Sequence, residues 1–300
     1  MITNVFNGFC MALADSVPGV SGGTIAFILG FYEDLLESVN NITTGNKEKF
    51  KESIIFLAKL FIGWVVGMTL SVLFLSSMFE KNIYFLSSLF MGLTAASIIY
   101  IIKSEFKVID KKNKYLLFSI LGIVIVVLIS ALRGKLMPSG NMELSNLNFL
   151  EYIYIFFTGM IAISAMVLPG ISGSTLLLIF GVYIPVINAL NQLLRFDFSV
   201  FTGLLIFSLG ILCGFVVSVR IIRHAFRKHR SKMIYLIVGL TIGSLFAIVQ
   251  GPTTLVVPKA AVSLSTFSPF GFIVGVALLL LLELFKNYSI KKISENDTDV

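Results

Sequence analysis

Charge, histidine and cysteine are scarce in this chain, and each scarcity removes a class of function. Only 13% of its 300 residues are Asp, Glu, Lys or Arg, against about 25% in an ordinary soluble domain. Apolar residues make up 57%, and the mean hydropathy is +0.96. That balance excludes a soluble globular domain and reads as an all-α polytopic membrane protein. The two cysteines, Cys10 and Cys213, sit in apolar stretches and offer neither a disulfide framework nor metal-ligand spacing. The only histidines, His224 and His229, share one basic stretch, so no apolar run carries a base to activate a serine. Long polar connections are missing too. The longest, 133–148, is too small to bury a core, so function resides in the membrane part. No Lys or Arg precedes the apolar residues 5–14, which argues against a signal peptide cleaved after Ala12-Leu13-Ala14.

Six plain apolar runs, 53–79, 83–102, 115–132, 199–219, 233–250 and 271–285, have the approximate length of a membrane crossing. Two further segments, 5–40 and 149–194, are apolar but interrupted. The polar tail 286–300 reads as solvated and disordered.

The interruptions resemble each other. "ADSVPGVSGGT" at 14–24 returns 151 residues later as "AMVLPGISGST" at 165–175. The match extends to Gly8 with Gly159, Gly30 with Gly181 and Tyr32 with Tyr183. After a four-residue slip it continues through Gly63 with Gly210, Gly67 with Gly214 and "GLT" at 92–94 with "GLT" at 239–241. The chain reads as a duplication, 1–145 and 146–300, each half holding one broken segment and three plain spans. Three crossings per half, an odd number, turn the second half upside down if each broken segment returns to its starting side.

Charge supports that arrangement. With re-entrant hairpins at 5–40 and 149–194, seventeen Lys and Arg (47–51, 103–114, 220–232, 286–292) face one side and five face the other, a positive-inside pattern with both termini cytoplasmic. A single crossing by 149–194 would move the cluster 220–232 outside. The arm before Pro18 is also only about 20 Å long at 1.5 Å per residue, too short for a core of about 30 Å. The second arm, 149–168, is nearly long enough to span, and its re-entrance rests on the repeat.

Proline explains the break. Pro18 cannot donate to a helix and restricts the residue before it, while Gly19, Gly22 and Gly23 permit tight backbone. Backbone freed in this way cannot face lipid, so the tips must lie against protein or line a cavity. Each helix after a tip points its amino terminus toward the membrane centre. Gly19, Ser21, Gly22, Gly23 and Thr24, with Gly170, Ser172, Gly173, Ser174 and Thr175, form a candidate anion site of amides and hydroxyls, suited above all to phosphate. The glycines of the spans, Gly63, Gly67, Gly210, Gly214, Gly239 and Gly243, are spaced for helix packing. Asp15 lies at a depth where an ionised carboxylate is costly, which makes it a proton-coupling candidate or, alternatively, a cap for loose amides. Its counterpart is Met166. Glu33, nearer the surface, is the second coupling candidate. No metal or cofactor is expected.

"ADSVPGVSGGTIAFILGFYEDLL" closely resembles the signature of the bacterial polyprenyl-phosphate transporters of the PopT type, and the resemblance covers essentially the whole chain. It implies a multi-pass protein of the bacterial cytoplasmic membrane whose partner is undecaprenyl phosphate, moved from the outer to the inner leaflet for reuse in cell-wall polymer synthesis. It implies no roles for individual residues. From the residues alone two other functions stay open. A channel or transporter for a small anion such as phosphate or a carboxylate would use the same tip chemistry. An intramembrane hydrolase would use the GxSG order at Gly19 and Gly170, but lacks a base. Oligomeric state is not legible.

Overall fold

The computed structural model describes residues 2–15, 21–105, 109–110, 113–131, 142–254 and 259–298, and the described residues are helical with short connections. Ten helices are α1 (Ile2–Asp15), α2 (Gly22–Leu29), α3 (Tyr32–Thr43), α4 (Lys47–Glu105), α5 (Leu116–Ala131), α6 (Phe149–Val167), α7 (Gly173–Ile179), α8 (Tyr183–Leu194), α9 (Phe201–Val249) and α10 (Pro269–Thr298). Four segments are long and apolar enough to cross a membrane: Lys47–Ser71, Asn82–Glu105, Phe149–Val167 and Phe198–Val249. Leu116–Ala131 and Pro269–Leu284 are shorter apolar helices. This is a membrane protein. α10 continues through the polar tail to Thr298, where sequence alone suggests disorder.

Two long helices are each two arms. α4 breaks at Asn82 (φ −127°, ψ 37°) and α9 at His229 (φ −138°, ψ 44°). A straight helix of 59 residues would reach about 90 Å at 1.5 Å per residue. Instead both ends of α4 lie beside α3. Lys47 follows Thr43, whose carbonyl accepts from Arg220, and Glu105 at the other end pairs with Arg230, which also holds Glu33. The chain therefore folds back at the break, and these groups mark one end of the molecule, called here the Arg–Glu end.

Return segments after each tip are split by glycine. Gly30 (φ 81°) and Gly181 (φ 68°) adopt the left-handed conformation that ends a helix. The Phe31 amide then donates to Ala26 O and the Val182 amide to Leu177 O. α2 and α3 are thus separate helices, as are α7 and α8, and neither return arm is a single rod. Asn148 and Glu151 close a reciprocal cap at the start of α6, with bonds of 3.0 and 2.8 Å.

Packing relies on close backbone approach. A Cβ at Gly63 would run into Val5 O, and one at Gly210 into Phe156 O. Gly67 and Gly214 meet Phe9 and Met160 in the same way, and Gly8 and Gly159 meet Leu60 and Phe207. α1 thus lies on the first arm of α4 as α6 lies on the first arm of α9. The third helix of each half crosses to the other: Gly122 of α5 packs on Leu236 and Gly239, and Gly275 of α10 on Leu89. Without side chains at these positions, dispersion contacts between backbones hold the helices, as in lipid, where apolar burial adds little.

Candidate functional site

The two tips meet where α2 begins. Ser21 caps α2, its Oγ accepting from the Gly23 amide at 3.2 Å. The same hydroxyl faces two carbonyls of the second tip, Met166 O at 3.3 Å and Leu168 O at 3.5 Å. Thr24 Oγ1 accepts from the Gly170 amide at 3.0 Å, and the Tyr32 hydroxyl donates to Val167 O at 3.0 Å. Ser21, Thr24 and Tyr32 therefore satisfy backbone groups in the last turn of α6 and just beyond it, which a lipid surface could not do.

Asp15 closes the first tip. Its Oδ1 accepts from the Gly22 amide at 2.7 Å, and its Oδ2 accepts from the indole Nε1 of Trp64 at 3.0 Å. The carboxylate thus sits at the amino terminus of α2, where dipole and unpaired amide favour an anion. Gly22 is glycine because that carboxylate is there: a Cβ would come within 2.6 Å of Oδ2 and 2.5 Å of Met11 Cγ. A Cβ on Gly23 would press on Val167 O at 3.0 Å, so this glycine allows the second tip to approach. Gly170 combines φ 94° with a Cβ position 2.7 Å from Leu240 C, and no other residue fits there without displacement.

Asp15, Ser172 and Gly173 line one cavity of about 160 Å³, with Met166, Ala162 and Ile163 on α6 and Phe207 on α9. Of the proposed binding residues, Ser21, Gly22, Gly23, Thr24, Gly170, Ser172 and Gly173 gather at this junction. Gly19, with Pro18, lies outside the described residues, as do the side chains of Ser174 and Thr175. The Gly22 and Gly23 amides, expected to face a ligand, have partners within the first tip.

A sequence profile described as undecaprenyl phosphate translocase-like matches residues 11–265. The chain belongs to that family. Among relatives in the translocase-like family, one from Staphylococcus aureus (strain NCTC 8325 / PS 47), named polyprenyl-phosphate transporter, is 36% identical over 281 residues, 92% of this chain and 95% of the relative. Another of the same name, from Vibrio cholerae serotype O1 (strain ATCC 39315 / El Tor Inaba N16961), is 32% identical over 255 residues, covering 81% and 76%. No solved structure matches the chain.

In this member of the family Glu33 is not brought to the tips. It pairs with Arg230 at 2.8 Å, and Arg230 also holds Glu105 at 3.1 Å. Glu37 receives Arg223 at 2.6 and 2.9 Å and Arg227 at 3.0 Å. Arg223 holds the Glu37 carboxyl below the usual range, chiefly by direct hydrogen bonding. A row of arginines on α9 thus clasps the acidic face of α3. Sequence reasoning missed this clasp, and missed Trp64. The clue to Trp64 was its being the sole tryptophan, in a span whose helix must lie near Asp15.

Proposed function

We propose that this chain transports undecaprenyl phosphate, returning it from the outer to the inner leaflet of the bacterial cytoplasmic membrane for cell-wall polymer synthesis. What supports this most is its similarity, over nearly its whole length, to relatives named polyprenyl-phosphate transporter. The site adds a chemical reason. Asp15 occupies, within the chain, the place an anionic head group takes at the α2 amino terminus, and hydroxyls and glycines of both tips surround it.

The halves 1–145 and 146–300 are inverted repeats, each a re-entrant hairpin (5–40 and 149–194) followed by three membrane helices. The directions of the arms favour this. α1 and the first arm of α4 run away from the Arg–Glu end, whereas the first arm of α9 runs toward it, carrying α6 alongside. With the Arg–Glu end in the cytoplasm, seventeen basic residues lie inside against five outside.

Proton coupling follows from one carboxylate sharing a site with a phosphate. Two anions in a medium of low dielectric repel. A proton on Asp15 removes its charge and weakens its hold on the Gly22 amide, which then donates to the phosphate. Release into the inner leaflet frees both, so inward movement draws on the proton gradient. Glu33, tied to Arg230 nearer the surface, is the reserve coupling group.

Purified protein in liposomes carrying undecaprenyl phosphate in one leaflet, assayed beside uptake of inorganic phosphate, tests the reading. Transfer of the lipid without the free ion is expected. Uptake of inorganic phosphate without lipid transfer would replace it with a small-anion transporter.

A further inference from the structure

Two cavities follow one another along the seam between the first arms of α4 and α9. The one nearer the Arg–Glu end holds about 520 Å³ and is walled by Leu57, Phe61 and Trp64 of α4, Phe215 of α9 and Met11 of α1. The next is the 160 Å³ cavity of the tips, reached by moving from Trp64 to Met68 on α4 and from Phe215 to Ile211 and Phe207 on α9. Trp64 lines the first and Asp15 the second, and the bond between them, Nε1 to Oδ2 at 3.0 Å, stands at the divide. The indole is otherwise held by stacking on Phe61, with ring centroids 6.4 Å apart and planes 11° from parallel.

We propose that Trp64 is the gate of the lipid-phosphate path, its indole shutting the tip cavity from the apolar groove as long as Asp15 accepts its hydrogen bond. This rests on the function proposed above. Each cavity suits one part of the substrate. The groove toward the Arg–Glu end is lined by apolar and aromatic side chains, fit for an isoprenoid chain, and lies within the roughly 300–1,000 Å³ of sites that enclose a sizeable ligand. The tip cavity has Asp15, Ser172 and Gly173 in its lining, fit for the phosphate. A third cleft, of about 570 Å³ between α1 and α10, is lined among the described residues by apolar side chains and Cys10. The seam therefore offers head-group and tail surfaces in continuity, and the indole is what interrupts them. A phosphate that displaces Asp15, or a proton that neutralises it, weakens or removes the acceptor and frees the indole to swing out of the divide.

Trp64 is the only tryptophan, so its emission reports the gate in the unaltered protein. Undecaprenyl phosphate added to the protein in micelles should shift that emission to the blue as the indole leaves the carboxylate. Undecaprenol, lacking the phosphate, should not. In liposomes Trp64→Ala should move the lipid phosphate about tenfold faster, the effect of losing one hydrogen bond to a charged acceptor from the closed state. Trp64→Phe, which loses the same hydrogen bond but keeps a ring at the divide, should also accelerate transfer, by no more than Trp64→Ala. Emission unmoved by lipid phosphate that the parent transports, or both variants transporting at the parental rate, overturns the gate and leaves the transporter standing. A parent that moves no lipid phosphate overturns both.

Discussion

The two tips share a backbone plan and differ in chemistry. Gly22 lies against Met11 and Asp15, and Gly173 against Ala162 and Met166, the corresponding residues of the second half. Gly30 and Gly181 end the next helices alike. Yet the first tip carries a carboxylate where the second carries a thioether, and the clasp residues Glu33 and Glu37 have Ile184 and Asn188 as counterparts. The two tips thus bring two helix amino termini close together and only the first adds a carboxylate, whereas the clasp joins carboxylates of α3 and α4 to arginines of α9. One carboxylate between two like tips fits the proton coupling proposed above.

The largest effect should come from breaking the shared plan where space is least. Gly22→Val places carbons within 2.6 Å of Asp15 Oδ2, whereas the nearest atom to a Cβ on Gly173 is Ala162 O at 3.0 Å. Lipid transfer in liposomes should be abolished in Gly22→Val and merely reduced in Gly173→Val. Equal loss would mean the tips are interchangeable.

Next in size is Asp15→Met, which gives the first tip the chemistry of the second. It leaves the Gly22 amide and the Trp64 N–H without their acceptor, costing about 1–3 kcal/mol for each. Thermal unfolding in detergent should show the loss, and transport should fall by at least about tenfold.

Glu37→Gln tests the clasp. Because Arg223 holds the carboxyl of Glu37 below its ordinary value, the pair's contribution is complete above about pH 4.3 and fades as pH falls through the depressed value. The groups are partly exposed, with side-chain exposures of 21% and 33%, so screening limits the effect to about 1 kcal/mol. The variant should melt lower than the parent at pH 7 and match it in acid or at high salt.

Ser21→Ala should matter least, since its bonds to the second tip are long, 3.3 and 3.5 Å. A cost of about 0.5 kcal/mol in thermal unfolding, the low end for a hydrogen bond, is expected.

Much of this comparison is legible in sequence. Pro18 and the glycines mark the first break, the 151-residue recurrence marks the second, and the glycines spaced for packing do meet backbone in the structure. Six apolar runs coincide with the arms of α4 and α9 and with α5 and α10. Side-chain partners were not legible, because they depend on docking between distant helices. Trp64 reaches Asp15 only once α4 lies along α1, and Arg223 reaches Glu37 across 186 residues of chain. In sequence Thr24 reads as part of the binding motif and Tyr32 only as a match between the two halves. Their bonds to the second tip became visible only when the halves were brought together.

The most direct test is the initial rate of undecaprenyl phosphate transfer in liposomes, with and without an imposed pH gradient, for the parent and Asp15→Asn. Asparagine binds no proton and keeps one oxygen, enough for the Gly22 amide, while its NH2 stands where the second oxygen accepted from Trp64. The parent should accelerate under the gradient, and the variant should bind the lipid while transferring it at one gradient-independent rate. An Asn variant that responds as the parent does would contradict the assignment of coupling to Asp15.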